Sequence, residues 1–140
     1  MARSGSVIDH LAAVPMFAAC SKREAQAVCR AATEIDVPVG KALTTEGERG
    51  QEFIIVISGK AVAERGGKQV ATFGPGDYFG EIALLDPGPR TATVVAETPM
   101  TVAVVAQRDF AQLLADVPTL STKIMRGLAR RLRDVGDSQV

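Results

Sequence analysis

From Phe79 to Val94 the chain reads FGEIALLDPGPRTATV, and two opposite charges, Glu81 and Arg90, stand out in it. They are too far apart for a helical ion pair, which needs a spacing of three or four residues. Gly74, Gly76 and Gly80 lead into the stretch. Glycines at this density let a backbone bend sharply and approach a ligand, because no Cβ stands in the way. EIALL can form one short helical turn, whose first amides lack internal partners, carry partial positive charge and suit a phosphate. DPGP stops that turn, and Arg90 opens the next strand. An arginine fork can give a phosphate two parallel, charge-assisted hydrogen bonds. A carboxylate beside a phosphate repels it, so Glu81 fits only as the acceptor for a neighbouring hydroxyl, such as that of a ribose. Phosphate and sugar together make a nucleotide. The competing reading of the pair is a surface salt bridge beside a turn.

Three zones must position these residues. From Ser6 to about Thr33 the spacing is helical: Val7, Ile8 and Leu11 recur on one face, and a second segment begins at Phe17. Within it Ser21 and Glu24 form a capping-box pattern that opens SKREAQAVCRAAT. Between Glu34 and Ala106 the chain turns to short β-branched runs, IDVPV, EFIIVIS, AVAER, QVATF, TATVVA and MTVAVV, punctuated by glycine. Turn signals about every eight to twelve residues predict an antiparallel sandwich or barrel rather than βαβ units. Gly47, Gly59 and Gly76 read as turn formers. After Val105 helical spacing returns in RDFAQLLAD, breaks at Pro118, and resumes in TLSTKIMRGLARRLRDV.

FGEIALLDPGPRTATV, with the upstream EGERGQEFIIVISGKA and the GPGDYFGE turn, resembles the phosphate-binding cassette of cyclic nucleotide-binding domains. Cyclic-AMP receptor proteins, kinase regulatory subunits and cyclic-nucleotide-gated channels carry such domains. The resemblance runs from about Phe17 to Val135. It implies an α+β fold: an antiparallel β-roll (jelly-roll) over about 34–106, flanked by N-terminal helices over about 5–33 and C-terminal helices over about 107–135. By the same resemblance Glu81 holds the ribose 2′-hydroxyl and Arg90 neutralises the cyclic phosphate. The amides of Gly80, Ile82, Ala83 and Ala92 line the pocket. A hydroxyl at Thr91 can bond a syn guanine in this family, yet many cyclic-AMP binders also carry one there. The expected ligand is cyclic AMP, with cyclic GMP the alternative.

The last helix contributes a lid. At about 100° per residue, Leu120, Ile124, Leu128 and Val135 share one arc, with Leu132 and Met125 at its edge. Lys123, Arg126, Arg130 and Arg133 project away, whereas Arg131 falls inside the apolar arc. In the family this helix folds over the base, and in some members an arginine stacks on the purine. Leu128 and Arg131 are therefore the lid candidates, against the alternative that Arg131 only snorkels past the core edge.

Bulk properties narrow the function. The chain's 140 residues suit one domain, 1–140, with a single core. Sixteen basic residues balance sixteen acidic ones, so net charge points to neither nucleic acid nor membrane. No apolar run nears the roughly 18 residues of a transmembrane helix, and the N-terminus is a poor signal peptide. Cys20 and Cys29 read as reduced thiols in a cytoplasmic protein. A metal-dependent enzyme on a similar roll needs two or three histidines with a carboxylate; the chain has one histidine, His10, read as exposed on the N-terminal helix. No metal, cofactor or catalysis is expected. About five residues follow Val135, which leaves no room there for a helix-turn-helix domain. The expected partner is therefore an effector protein in trans or a second copy, with neither DNA nor a membrane span. A roll that keeps the fold as a scaffold and has lost its ligand is the remaining alternative.

Overall fold

The computed structural model describes residues 20–135. The helical pattern at Val7, Ile8, Leu11 and Phe17, His10 and the side chain of Val135 lie outside the described residues. Helix α1 (Lys22–Ala31) starts where the sequence places its cap. The Glu24 amide donates to the Ser21 hydroxyl and the Ser21 amide donates to the Glu24 carboxylate, each at 3.1 Å. These bonds satisfy two amides that the first turn otherwise leaves unpaired. Ser21→Ala is expected to destabilise the domain by about 1 kcal/mol. The check is a lower urea midpoint with an unchanged denaturant slope.

The helix ends earlier than its sequence pattern predicts. Ala32 is already extended, at φ −106° and ψ 147°, and strand β1 (Ala32–Val37) follows without a turn. Its pairing decides this: Ala32 and Thr33 stand opposite Val105 and Val104 of the last strand, and that ladder overrides alanine's helix propensity. β1 stops before Pro38, which has no amide to donate.

Seven further strands follow: β2 (Ala42–Thr44), β3 (Glu52–Ser58), β4 (Ala61–Arg65), β5 (Lys68–Phe73), β6 (Tyr78–Phe79), β7 (Thr93–Ala96) and β8 (Met100–Ala106). A short helix, α2 (Glu81–Leu85), lies between β6 and β7, and α3 (Gln107–Asp116) and α4 (Pro118–Val135) close the chain. Pro118 takes the first position of α4, where its missing amide costs nothing, so the predicted break is the joint between two helices. The strands form two antiparallel sheets, ordered β1-β8-β3-β6 and β2-β7-β4-β5. The fold is α+β, an antiparallel jelly-roll core flanked by helices at both ends.

Strand β3 shows how the layers assemble. Its run Phe53–Val56 is buried on both faces, which is why it reads as continuous apolar sequence instead of alternating. Phe53 and Ile55 point to the helices, where they meet Val28, Phe110, Leu113, Leu120 and Ile124. Ile54 and Val56 point the other way, into a core between the sheets with Ala61, Ala63, Phe79, Val94 and Val102. One sheet thus carries the helices on one side and the pocket-bearing sheet on the other.

Candidate functional site

A cavity of about 470 Å³ opens over the second sheet. Its walls include Gly80, Glu81, Ile82, Ala83, Arg90, Thr91, Ala92 and, from α4, Arg131. Eight of the nine sequence candidates therefore meet in one place. Leu128 does not: it packs against the helix-side core, because the arc it shares with Leu120 and Ile124 faces Phe53 and Phe110.

Arg90 is 8% exposed. Its main chain is fixed first, the amide donating to the Glu48 carbonyl at 2.6 Å and the carbonyl accepting from the Gly47 amide at 3.0 Å. Its guanidinium then donates to two main-chain carbonyls, Glu52 at 2.8 Å and Gly80 at 3.2 Å. Burial pulls this group's pKa down, against Glu52 and Glu81, whose charges raise it. A guanidinium has five N–H donors, so this anchoring leaves donors over for an anion in the cavity.

Gly80 makes the anchoring possible. Its φ is +95°, a left-handed conformation that disfavours side chains. A Cβ there would stand 2.6 Å from the Glu52 carbonyl oxygen and 2.8 Å from Arg90 Nη1. The turn that starts α2 is thus pressed against the arginine, and its N-cap, Gly80, brings no side chain to cap the helix's first amides.

Glu81 is 2% exposed, and its Oε2 accepts no hydrogen bond among the described residues. Burial is the main reason its carboxyl sits above the usual range; Arg131 is the chief opposing influence, followed by amide hydrogen bonds and Arg90. Arg131 Nη1 lies 3.4 Å from Glu81 Oε2, so the final helix reaches into the pocket through this ion pair. The predicted inward position of Arg131 is where the structure places it, although its side chain remains half exposed.

Residues 34–117 match the family model described as the cyclic nucleotide-binding domain. The chain belongs to this family. A cAMP-dependent protein kinase regulatory subunit of Yarrowia lipolytica is 42% identical over 74% of this chain and 28% of its own length. A CRP-like cAMP-activated global transcriptional regulator of Mycobacterium tuberculosis is 38% identical over 71% of this chain and 46% of its own. The chain thus spans under half the length of either relative. The regulatory domain of Toxoplasma gondii PKA, solved with cAMP, has a TM-score of 0.77 and 30% identity, covering 89% of this chain and 50% of that one. These relatives are regulators, and the domain is a regulatory module rather than an enzyme.

The cyclic nucleotide-binding domain also builds its cavity from residues the sequence reading passes over. Thr44, Ala63, Arg65, Val70, Ala71, Phe73, Phe79, Val94 and Asp134 complete the lining. Strand alternation could have found Arg65, since Ala61, Ala63 and Arg65 share one face of β4. Arg65 Nε donates to the Thr91 carbonyl at 2.9 Å, which pins the chain just after Arg90. Thr44, itself buried, donates to the Ala92 carbonyl and accepts from the Val94 amide at 3.0 and 3.2 Å. No group of three or more His, Cys, Asp or Glu able to hold a metal exists among the described residues. Nor is any described helix long and apolar enough to cross a membrane.

Proposed function

We propose that this domain senses a cyclic mononucleotide, cyclic AMP in preference to cyclic GMP, and relays occupancy through its terminal helices to a partner protein or second copy. One observation carries the reading: among the described residues, a buried arginine whose guanidinium is held by two carbonyls and a buried glutamate with one oxygen that accepts no hydrogen bond face one cavity. Burying either charge without a full set of partners is costly. A cyclic phosphate supplies the anion for Arg90, and the adjoining ribose hydroxyl supplies the donor for Glu81. Arg131 faces the base side from α4.

The cyclic AMP preference draws on the cAMP named in the related regulators. Signalling follows from the Glu81–Arg131 contact. A sugar that engages Glu81 changes what Arg131 meets, so the ligand favours one placement of α4 over another. Calorimetric titration with the two nucleotides tests the reading. Saturable binding, tighter for cyclic AMP, is expected; no saturation by either below about millimolar concentration overturns it. That outcome would leave the roll as a scaffold without a ligand.

A further inference from the structure

We propose that Gly127 and Tyr78 form a seat that sets how closely α4 closes over the pocket, the ligand side of this inference resting on the nucleotide reading above. Gly127 lies inside an 18-residue helix and has no positive φ. Glycine is unfavourable there relative to alanine, so its presence needs another cause. A Cβ at Gly127 would stand 2.7 Å from the Tyr78 hydroxyl oxygen. That hydroxyl donates to the Lys123 carbonyl, one turn earlier, at 3.3 Å. The phenol therefore rests in the notch that the missing side chain leaves.

The tyrosine is not free to yield. Its ring packs against Phe53, with centroids 5.7 Å apart, and against the helix-side core. Tyr78 comes three residues before Glu81 in the chain, and Gly127 comes one helical turn before Arg131. Two contacts thus run side by side between the Tyr78–Glu81 segment and α4: Tyr78 with Lys123 and Gly127, then Glu81 with Arg131. Tyr78 and Arg131 also line a common small cavity of about 230 Å³. Neither Gly127 nor Tyr78 lines the main pocket, so both are positioning residues. A methyl group at 127 lifts the helix and draws Arg131 away from Glu81.

The chain has one tyrosine and no tryptophan, so phenolate absorbance reports Tyr78 alone. Burial is the main cause that raises the pKa of this phenol, with Glu81 adding to it and Arg131 and Arg130 of α4 opposing it to a smaller extent. In Gly127→Ala the phenol is expected to titrate nearer its ordinary value without any ligand present. Cyclic AMP affinity is expected to fall about five- to tenfold, and further for Gly127→Val. Tyr78→Phe alone stays near wild type, and adding it to Gly127→Ala restores affinity to within about twofold, the signature of two residues in direct contact. A purely local effect has the opposite sign, because alanine strengthens a helix.

Each failure reads separately. An unchanged phenol titration in Gly127→Ala overturns the seat. A shifted titration with unchanged affinity overturns its coupling to the pocket, and absence of rescue overturns the contact. Wild-type protein that binds no cyclic nucleotide overturns the functional reading and the coupling together, while the titration still judges the seat.

Discussion

Arg90→Ala is expected to weaken cyclic nucleotide binding by roughly two to three decades, the cost of leaving a buried charge without its partner. The phosphate anion would enter a cavity whose other guanidinium groups are engaged elsewhere, Arg65 on the Thr91 carbonyl and Arg131 on Glu81. Arg90 is prepared for that anion before it arrives: two carbonyl contacts and two main-chain hydrogen bonds hold it in place. Little side-chain entropy is then lost on binding. Arg90→Lys keeps the charge but not the planar fork, which here bonds two carbonyls with donors still left over. An intermediate loss is expected. Stability without ligand should change much less in Arg90→Ala, because relief of a buried charge offsets the loss of its hydrogen bonds. Calorimetry beside urea unfolding separates the two effects. Arg90→Ala that binds within about threefold of wild type removes Arg90 from the phosphate site.

How far the sequence foretells this site depends on where each residue lies in the chain. Gly80, Glu81 and Arg90 are legible because the bend, the charge and the stop signal fall within one short run. Arg131 is legible because an arginine in an apolar arc breaks a helical pattern. The opposite wall is not, since Val70, Ala71 and Phe73 enter only through the pairing of β5 with β4. Leu128 lies off the pocket lining for a related reason. Its arc is apolar, but periodicity gives a face without saying which neighbour that face meets, and the core takes it.

The strand boundaries teach the same lesson. β2 has three residues and β6 two, too few to show an alternating pattern. Tyr78 and Phe79 are a strand only because Ile55 and Ile54 stand opposite them. That two-residue pairing matters beyond its length. It places Phe79 in the core between the sheets and Tyr78 under α4, immediately before the glycine that turns the chain into the cassette. Local pattern therefore identifies the chemistry, whereas tertiary pairing supplies the frame that holds it.

Glu81 is expected to show opposite effects on binding and on stability. Glu81→Ala removes the acceptor for the sugar and should lower affinity by roughly ten- to a hundredfold, the range for a hydrogen bond to a charged group. Glu81→Gln keeps an oxygen acceptor without the charge and should lose about tenfold. Stability moves the other way. Because burial raises the folded-state pKa of this carboxyl, the folded protein takes up its proton more readily than the unfolded chain. The resulting stabilisation is fully present below the ordinary glutamate pKa of about 4.3 and is lost as pH rises through the raised value. Once ionised, the carboxylate thus burdens the ligand-free fold, and its pair with half-exposed Arg131 offsets little of that cost. Glu81→Gln should accordingly melt higher than wild type at pH 7 without nucleotide. Its advantage should shrink as pH falls through the Glu81 pKa, where the wild-type side chain also becomes neutral. Thermal scans across pH, with and without cyclic AMP, check both halves. A ligand-free Glu81→Gln that melts lower than wild type at neutral pH means the Arg131 pair outweighs desolvation, and α4 is then latched by that pair before any ligand arrives.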